Sequence, residues 1–158
     1  MSTHSRLIGV IADTHNLLRP EARAALLGVD HILHAGDICG PALLEQLAEI
    51  APLTAVRGNN DRGAWAESLR PSETVELGGV RILLLHDLQE LHAHGGPGGA
   101  QVVVSGHSHR PAIRMEGGVL YFNPGSAGPR RFSLPISLGY LEIAHGQCKP
   151  RLRTLEIG

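Results

Sequence analysis

Two histidines follow a short apolar run at residues 102–109, which read Val-Val-Val-Ser-Gly-His-Ser-His. The three valines predict a buried strand, because β-branched side chains favour strands, and Gly106 lets the backbone turn as the strand ends. His107 and His109 leave that turn two residues apart, and imidazole is the commonest nitrogen ligand of transition metals. By itself, the turn fits two surface histidines as well as it fits a metal site.

Similar side chains follow four other predicted strands, at 7–12, 30–34, 53–56 and 80–85. Together the five strand ends carry seven oxygen or nitrogen donors, which are Asp13, His15, Asp37, Asn59, His86, His107 and His109. Seven ligands are more than one ion takes from a protein, so the set predicts two ions. One carboxylate between the ions would screen their repulsion. The net positive pocket would attract an anion and hold hydroxide, as in two-metal hydrolases.

The elements around these strands predict how the site is positioned. Helices at 20–27 and 42–50 follow the first two strands, which indicates βα units, and 73–77 with 80–85 predict a β-hairpin. A short helix is expected at 88–94, strands at 112–115 and 119–122, and edge strands at 137–143 and 151–157. Since the sequence has no evident linker or internal repeat, residues 1–158 are predicted to form one domain.

The bulk composition argues against several classes of protein. The formal net charge is −1 and the lysines and arginines are scattered, so no basic stripe indicates a nucleic-acid partner. No apolar run approaches the ~18–20 residues of a membrane span, and the N-terminus lacks the apolar core of a signal peptide. Cys39 and Cys148 are too few for a disulfide framework, so we expect a reducing compartment, the cytoplasm.

Five motifs in a fixed order resemble those of the calcineurin-like metallophosphoesterases. They are Asp13-x-His15, Gly36-Asp37, Gly58-Asn59-Asn60-Asp61, His86 and Gly106-His107-Ser108-His109. A further motif, Asn123-Pro124-Gly125-Ser126 followed by Pro129-Arg130, narrows the resemblance to the small, single-domain bacterial and archaeal phosphodiesterase branch. The resemblance covers about residues 7–131, and the joint spacing of the motifs is specific although each motif alone is weak.

This resemblance implies a fold and a cofactor. The implied fold class is α/β (α+β), a four-layer α/β/β/α sandwich of the metallo-dependent phosphatase type with the site at the strand ends. Two divalent transition-metal ions are implied, and manganese is the first expectation, although iron, zinc, nickel or cobalt would suit the same donors. The implied ligands of the first ion are Asp13, His15, Asp37 and His109, and those of the second are Asp37, Asn59, His86 and His107, with Asp37 as the bridge.

The expected reaction is hydrolysis of a P–O bond in a small phosphodiester by a hydroxide that bridges the two metals, with Asp37 as a catalytic residue. The runner-up is a phosphomonoesterase. A third hypothesis is a non-catalytic interaction scaffold, as in the retromer subunit that is related to this family. That subunit lacks several of the histidine ligands, whereas this chain has every ligand position filled. The resemblance also suggests a homo-oligomer.

Two positions depart from the family pattern. Asn60 stands where many members carry a histidine that protonates or stabilises the leaving oxygen. An amide can donate a hydrogen bond to phosphate but cannot act as a general acid, so we expect slow hydrolysis of esters with poor leaving groups. Asp87 stands where a glycine is usual. Its carboxylate would repel a phosphate dianion, bind a ligand histidine or point to solvent, and we expect the last.

Three other residues have alternative roles. Asp61 resembles the family's acid that orients a histidine ligand or the nucleophile, and we predict a catalytic role for it, although a helix N-cap would suit it equally. Arg130 is a candidate contact for substrate phosphate, and a solvated loop arginine is the plainer interpretation. His34, within a predicted strand, is expected to be a hydrogen-bonded strand histidine instead of a ligand.

Overall fold

Ten strands and four short α-helices make up the fold in the computed structural model, which describes residues 5–131 and 133–157. The strands are β1 (Arg6–Ile11), β2 (His31–His34), β3 (Leu53–Ala55), β4 (Ser72–Leu77), β5 (Val80–Leu85), β6 (Val102–Val104), β7 (Ala112–Glu116), β8 (Val119–Asn123), β9 (Ser137–Ala144) and β10 (Gln147–Thr154). The helices are α1 (Pro20–Leu26), α2 (Pro41–Ile50), α3 (Ala64–Glu67) and α4 (Leu91–His94), with a 3-10 helix at Leu88–Glu90.

The strands form two five-stranded mixed sheets. Sheet A has the order β10-β9-β1-β2-β3, and sheet B has the order β4-β5-β6-β8-β7. In sheet A, β1, β2 and β3 are parallel, and in sheet B, β5, β6 and β8 are parallel. Because parallel strands end at the same edge of a sheet, the side chains that follow them are brought together there.

Apolar faces stack the elements into four layers. Ile8 and Val10 of β1 face a core that includes Val104 and Phe122 of sheet B, so the two sheets pack face to face. Leu43 and Leu47 of α2 pack in a second core with Ile11, which places α1 and α2 on the outer face of sheet A. A third, smaller core around Leu83, Leu85 and Val103 is covered by Leu88 and Leu91 of the two short helices. The expected four-layer α/β/β/α sandwich is confirmed.

Two expectations at the C-terminal end are wrong. We expected both last strands to be edge strands, but β9 lies between β10 and β1. Its first five residues are all buried. The last strand was expected at 151–157, but β10 spans Gln147–Thr154. Pro150 lies inside β10, and a proline argues against a strand when the sequence is considered alone. It is tolerated here because β10 is at the edge of its sheet.

Two further features concern helices. The segment 64–71 begins with the one-turn helix α3. The longest helix among residues 5–131 and 133–157 is α2, with ten residues, and no helix in this part of the chain is long and apolar enough to cross a membrane.

Candidate metal centre

The seven sequence-predicted donors lie at one end of the sandwich, on loops that follow β1, β2, β3, β5 and β6. Several of them have a left-handed backbone, with φ between 47° and 69° at Asp13, His15, Asp37, His107 and His109. Residues other than glycine adopt this conformation rarely and at a cost, and such strain concentrates at functional sites. The folded structure therefore holds these side chains in a defined arrangement.

Asp13, His15 and His109 form the first group of donors, with one ligand atom from each within 4.8 Å of the others. His109 Nε2 lies 3.6 Å from Asp13 Oδ1. Three buried atoms have no hydrogen-bond partner among the described residues: Asp13 Oδ1, His15 Nε2 and His109 Nδ1. Buried polar atoms are normally paired, so an unpaired atom on each member of this donor group favours a cation position here.

Asp37, His86 and His107 form the second group by the same criterion. His86 Nδ1 donates to the carbonyl oxygen of Ala35 at 2.8 Å, so in the neutral imidazole Nε2 carries a lone pair. That Nε2 faces Asn59 Oδ1 at 2.9 Å, Asp37 Oδ2 at 3.3 Å and His107 Nδ1 at 3.2 Å. Lone pairs that converge in this way need a proton or a metal ion between them, and a carbonyl bound to the far nitrogen is typical of metal-binding histidines.

Asp37 lies between the two groups. Its Oδ2 is 3.3 Å from His86 Nε2 and 3.8 Å from His15 Nε2. This grouping fits the ligand sets that the family resemblance implies, and the bridging role of Asp37 stays a prediction. The oxygen and nitrogen donors fit divalent first-row transition metals, which favour mixed imidazole, carboxylate and amide sites.

The pKa values of Asp13 and Asp37, together with that of His86, indicate that these two carboxylates favour a positive charge nearby. Burial is the main reason that the pKa of Asp13 is raised to about 7. Burial would also raise the pKa of Asp37, but hydrogen bonds from His86 and Asn60 hold it below its ordinary value. Burial lowers the pKa of His86, but this effect is outweighed by its hydrogen bond to Asp37 and the carboxylate charges, and the pKa is raised. In the absence of a metal ion, the carboxylates stabilise the protonated, positively charged form of His86. A bound cation would supply this positive charge instead.

Two glycines allow the loops to approach each other. Gly36 has φ +101°, which favours glycine, and a Cβ on it would lie 2.7 Å from His86 Nδ1. A Cβ on Gly58 would collide with the carboxylate of Asp37. The glycines of the Gly36-Asp37 and Gly58-Asn59 motifs are therefore required by the close packing of these loops.

Asn60 has a different environment from the one expected. Its backbone N–H donates to Asp37 Oδ1 at 2.9 Å and its side-chain amide donates to Asp37 Oδ2 at 3.0 Å. These donors hold the Asp37 carboxylate, and a contact of Asn60 with substrate phosphate stays a prediction. In the structure Asn60 is a positioning residue for Asp37.

Asp61 supports the same loop from behind. Its carboxylate is 5% exposed and accepts four backbone N–H groups, from Asp37, Ile38, Cys39 and Gly58, at 2.8–3.0 Å. It is not the N-cap of the nearby helix α3, where Gly63 stands. Its contacts with backbone N–H groups differ from the expected contact with a histidine or a nucleophile, so Asp61 acts through the Asp37 loop.

We expected Asp87 to point to solvent, but in the structure both of its carboxylate oxygens lie near other groups of the protein. One carboxylate oxygen accepts the backbone N–H of Gln89 at 3.0 Å and caps the 3-10 helix, and the other lies 3.8 Å from His107 Nε2. Because His107 Nδ1 faces the second donor group, Asp87 lies against the outer nitrogen of a candidate ligand.

Arg131 acts electrostatically on the first donor group, whereas the sequence named its neighbour Arg130 as the candidate contact for phosphate, which stays a prediction. After burial, the charge of Arg131 is the largest cause that lowers the pKa of His109, to about 4. The same charge also acts on the pKa of His15 and Asp13. Arg130 is exposed, as a solvated loop arginine would be.

The motif at residues 123–126 braces two loops of the site. The side-chain amide of Asn123 donates to the carbonyl oxygen of Gly106 at 3.0 Å and to Ser108 Oγ at 3.2 Å. Ser126 Oγ donates to the carbonyl oxygen of Asp13 at 3.0 Å. These contacts fix the loops that carry His107, His109 and Asp13, a role that the sequence did not reveal.

His34 is fully buried and hydrogen-bonded at both ring nitrogens, as its position in a strand predicted. The backbone N–H of Gly36 donates to Nδ1 at 3.0 Å, so Nε2 carries the proton and donates to Thr14 Oγ1, also at 3.0 Å. This neutral ring joins the loops after β1 and β2. Burial lowers its pKa to about 3.

We expect His34 to make the metal-free protein sensitive to acid. The unfolded chain binds a proton at His34 near pH 6.5 and the folded chain only near pH 3, so stability falls as the pH falls between these values. From pH 7 to pH 5, His34 should cost the wild type about 2 kcal/mol of unfolding free energy relative to His34→Gln. Urea unfolding of both proteins at the two pH values measures this difference, and a difference independent of pH would contradict the prediction.

Comparison with known proteins gives one family match and close relatives. The sequence profile of the calcineurin-like phosphoesterase superfamily domain matches residues 7–146. A probable metallophosphoesterase of Methanothermobacter thermautotrophicus is 40% identical over 141 residues, which cover 82% of this chain and 81% of that protein.

Solved structures with the same fold include an archaeal phosphodiesterase and Vps29 proteins. An archaeal phosphodiesterase is 23% identical with a TM-score of 0.77, and the match covers 94% of this chain and 99% of that one. Vps29 of Chaetomium thermophilum is 22% identical with a TM-score of 0.76, covering 96% of this chain and 100% of that one. At these identities the likeness is one of fold.

Proposed function

Since the chain belongs to the calcineurin-like phosphoesterase superfamily, we propose that it is a phosphodiesterase that uses two divalent metal ions. The observation that carries the proposal is the pair of donor groups joined by the Asp37 carboxylate. In this proposal, Asp13, His15 and His109 would hold the first ion, His86, His107 and Asn59 would hold the second, and Asp37 would contact both. Bound ions of this kind lower the pKa of water and neutralise charge on phosphoryl oxygens.

The protein's own residues then prepare the site for an anion. Asn60 and Asp61 hold the Asp37 carboxylate and its loop in place, and His34 joins this loop to the loop after β1. Arg131 adds a positive charge near His109. Since Asn60 cannot give up a proton as an acid, we expect fast turnover only for esters with good leaving groups. Manganese remains the predicted metal, with iron, zinc, nickel and cobalt as alternatives.

Two features favour a diester over a monoester. One cavity, of about 390 Å³, is lined by Asn59 and His86 and extends toward the start of β4, and another, of about 430 Å³, is lined by His107 and extends toward β7 and β8. A phosphodiester has two organic groups, and each would have its own cavity. Asp87 lies at the second cavity, where its negative charge disfavours the dianion of a monoester.

The test compares bis-p-nitrophenyl phosphate with p-nitrophenyl phosphate on chelator-stripped protein that is reloaded separately with Mn, Ni, Zn and Mg. We expect metal-dependent turnover that favours the diester. In the Asp87→Gly variant the ratio of diester to monoester kcat/KM should fall on the order of tenfold, because the repelling carboxylate is gone. Turnover that favours the monoester in the wild type would replace the proposal by the phosphomonoesterase.

A scaffold without activity is the second candidate, because Vps29 proteins share this fold. The unpaired atoms Asp13 Oδ1, His15 Nε2 and His109 Nδ1 favour the metalloenzyme, since a surface that only docks proteins does not require them. Absence of turnover with every metal, in a protein that binds two equivalents, would favour the scaffold. A cytoplasmic location, a homo-oligomer and the absence of a nucleic-acid partner stay predictions of the sequence.

A further inference from the structure

We propose that the cavity between His107 and the β7–β8 hairpin binds a planar heteroaromatic ring, which makes nucleoside phosphodiesters the substrate class of this protein. This inference rests on the proposed function and names the organic group that the site selects. We call this space the ring cavity. It is lined at one end by His107 and Ser108, and along its length by residues of β7 and β8 that include Arg114 and Tyr121.

The position and size of the ring cavity suit one arm of a diester. It begins at His107, a candidate ligand, so a phosphate at the metal centre would lie at its mouth and the organic group would enter it. Its volume of about 430 Å³ lies within the ~300–1,000 Å³ of typical small-molecule sites. A nucleoside fits a space of this size, whereas a methyl or ethyl ester would leave most of it to water.

Arg114 and Tyr121 supply a stacking surface. The guanidinium carbon of Arg114 lies 4.8 Å from the centre of the Tyr121 ring. Arg114 Nη1 is held by Glu116 at 3.0 Å, and 55% of the arginine side chain is exposed, so the guanidinium plane is oriented and still accessible. Bases stack readily on aromatic rings and on guanidinium planes, and this contact tolerates any base.

The rest of the ring cavity is lined by apolar residues, which include Leu88 and Phe122, and by several polar residues. Gln89 offers an amide, and Arg110 a second guanidinium, so the edge of a heterocycle would meet both donors and an acceptor. The cavity on the other side, next to Asn59 and His86, is lined by Arg57, Glu90 and His94 among the described residues, with no phenylalanine, tyrosine or tryptophan. Among the described residues, an arginine packed on an aromatic ring lines the ring cavity, whereas the other cavity offers the guanidinium of Arg57 without such a ring, and this difference distinguishes the two arms of the substrate.

Alternation along β7 provides a matched control. Ala112 and Arg114 line the ring cavity, whereas Ile113 and Met115 line a groove on the other face of the strand. Met115→Ala thus removes an exposed side chain from the same strand without touching the ring cavity. Arg114→Lys keeps the positive charge but removes the planar group, so it separates stacking from simple attraction of phosphate.

The experiment measures, by calorimetry on the manganese-loaded protein, the affinity for adenosine 5′-monophosphate and for methyl phosphate, which differ only in the nucleoside. We expect adenosine 5′-monophosphate to bind at least about tenfold more tightly, since stacking of one base changes affinity by a factor of ~5–150. The ratio should fall below threefold in Arg114→Lys and in Tyr121→Leu and stay unchanged in Met115→Ala.

Each outcome has one meaning. A wild-type ratio near one, or a ratio that survives in both Arg114→Lys and Tyr121→Leu, would overturn the ring cavity as the nucleoside site. Because Arg114 is exposed, its variant answers the question even if Tyr121→Leu folds poorly. Failure of the proposed function is seen separately, as absence of bis-p-nitrophenyl phosphate turnover by the same manganese-loaded sample, and would overturn the substrate class as well.

Discussion

Asp37→Asn should abolish most phosphodiester hydrolysis and remove one of two bound metal equivalents. The carboxylate faces both donor groups, with Oδ2 3.3 Å from His86 Nε2 and 3.8 Å from His15 Nε2. An amide removes the negative charge that would lie between two cations. Since a metal ion contributes several kcal/mol to the stabilisation of a transition state, we expect kcat/KM for bis-p-nitrophenyl phosphate to fall about a thousandfold.

Elemental analysis after dialysis and steady-state kinetics on the same sample measure both effects. Glu49→Gln is the matched control, because it also replaces a carboxylate by an amide, but at a side chain that is 69% exposed and paired only loosely with Arg23. This control should keep two metals and full turnover. An Asp37→Asn protein with two metals and more than a tenth of the wild-type kcat/KM would show that Asp37 is not the bridge.

The position of the donors could be predicted because it depends on strands. Buried strands are recognised from short apolar runs, and residues such as Asp13, Asp37 and His107 follow directly at their ends. Parallel strands bring their ends together at one edge of each sheet, and the packing of the two sheets brings the two edges together, so seven residues far apart in sequence form one site. The flanking helices followed from the residue pattern as well, whereas the two packed sheets were implied by the family resemblance.

The role of the supporting residues could not be predicted, because it depends on loop conformation. The left-handed backbone at Asp37 turns the loop so that Asn60 and Asp61 bind it from two sides, and nothing in those residue types predicts a positive φ. Asp87 was misjudged because its cap on a one-turn 3-10 helix is set by the local chain path.

Asp61→Ala should destabilise the metal-free protein by about 3–5 kcal/mol and weaken metal binding on the order of 10–100-fold. The buried carboxylate accepts four backbone N–H groups from the loops that carry Asp37 and Asn59. Alanine leaves these donors unpaired unless water replaces the carboxylate, and each hydrogen bond to a charged group contributes ~1.5–3 kcal/mol. Urea unfolding and metal titration measure the two effects.

Two further variants decide whether these hydrogen bonds are the cause. Asp61→Asn keeps the shape of the side chain but replaces one of its two oxygens by an NH₂ group. This NH₂ group would face backbone N–H groups, which cannot accept a hydrogen bond, so we expect the variant to recover at most half of the stability lost in Asp61→Ala. Asp30→Ala removes an exposed carboxylate that accepts a single backbone N–H, from Leu7 at 2.8 Å, and should cost less than about 1 kcal/mol. If Asp61→Ala cost no more than Asp30→Ala, water would be replacing the carboxylate, and the Asp37 loop would be held by Asn60 and the bound metals instead.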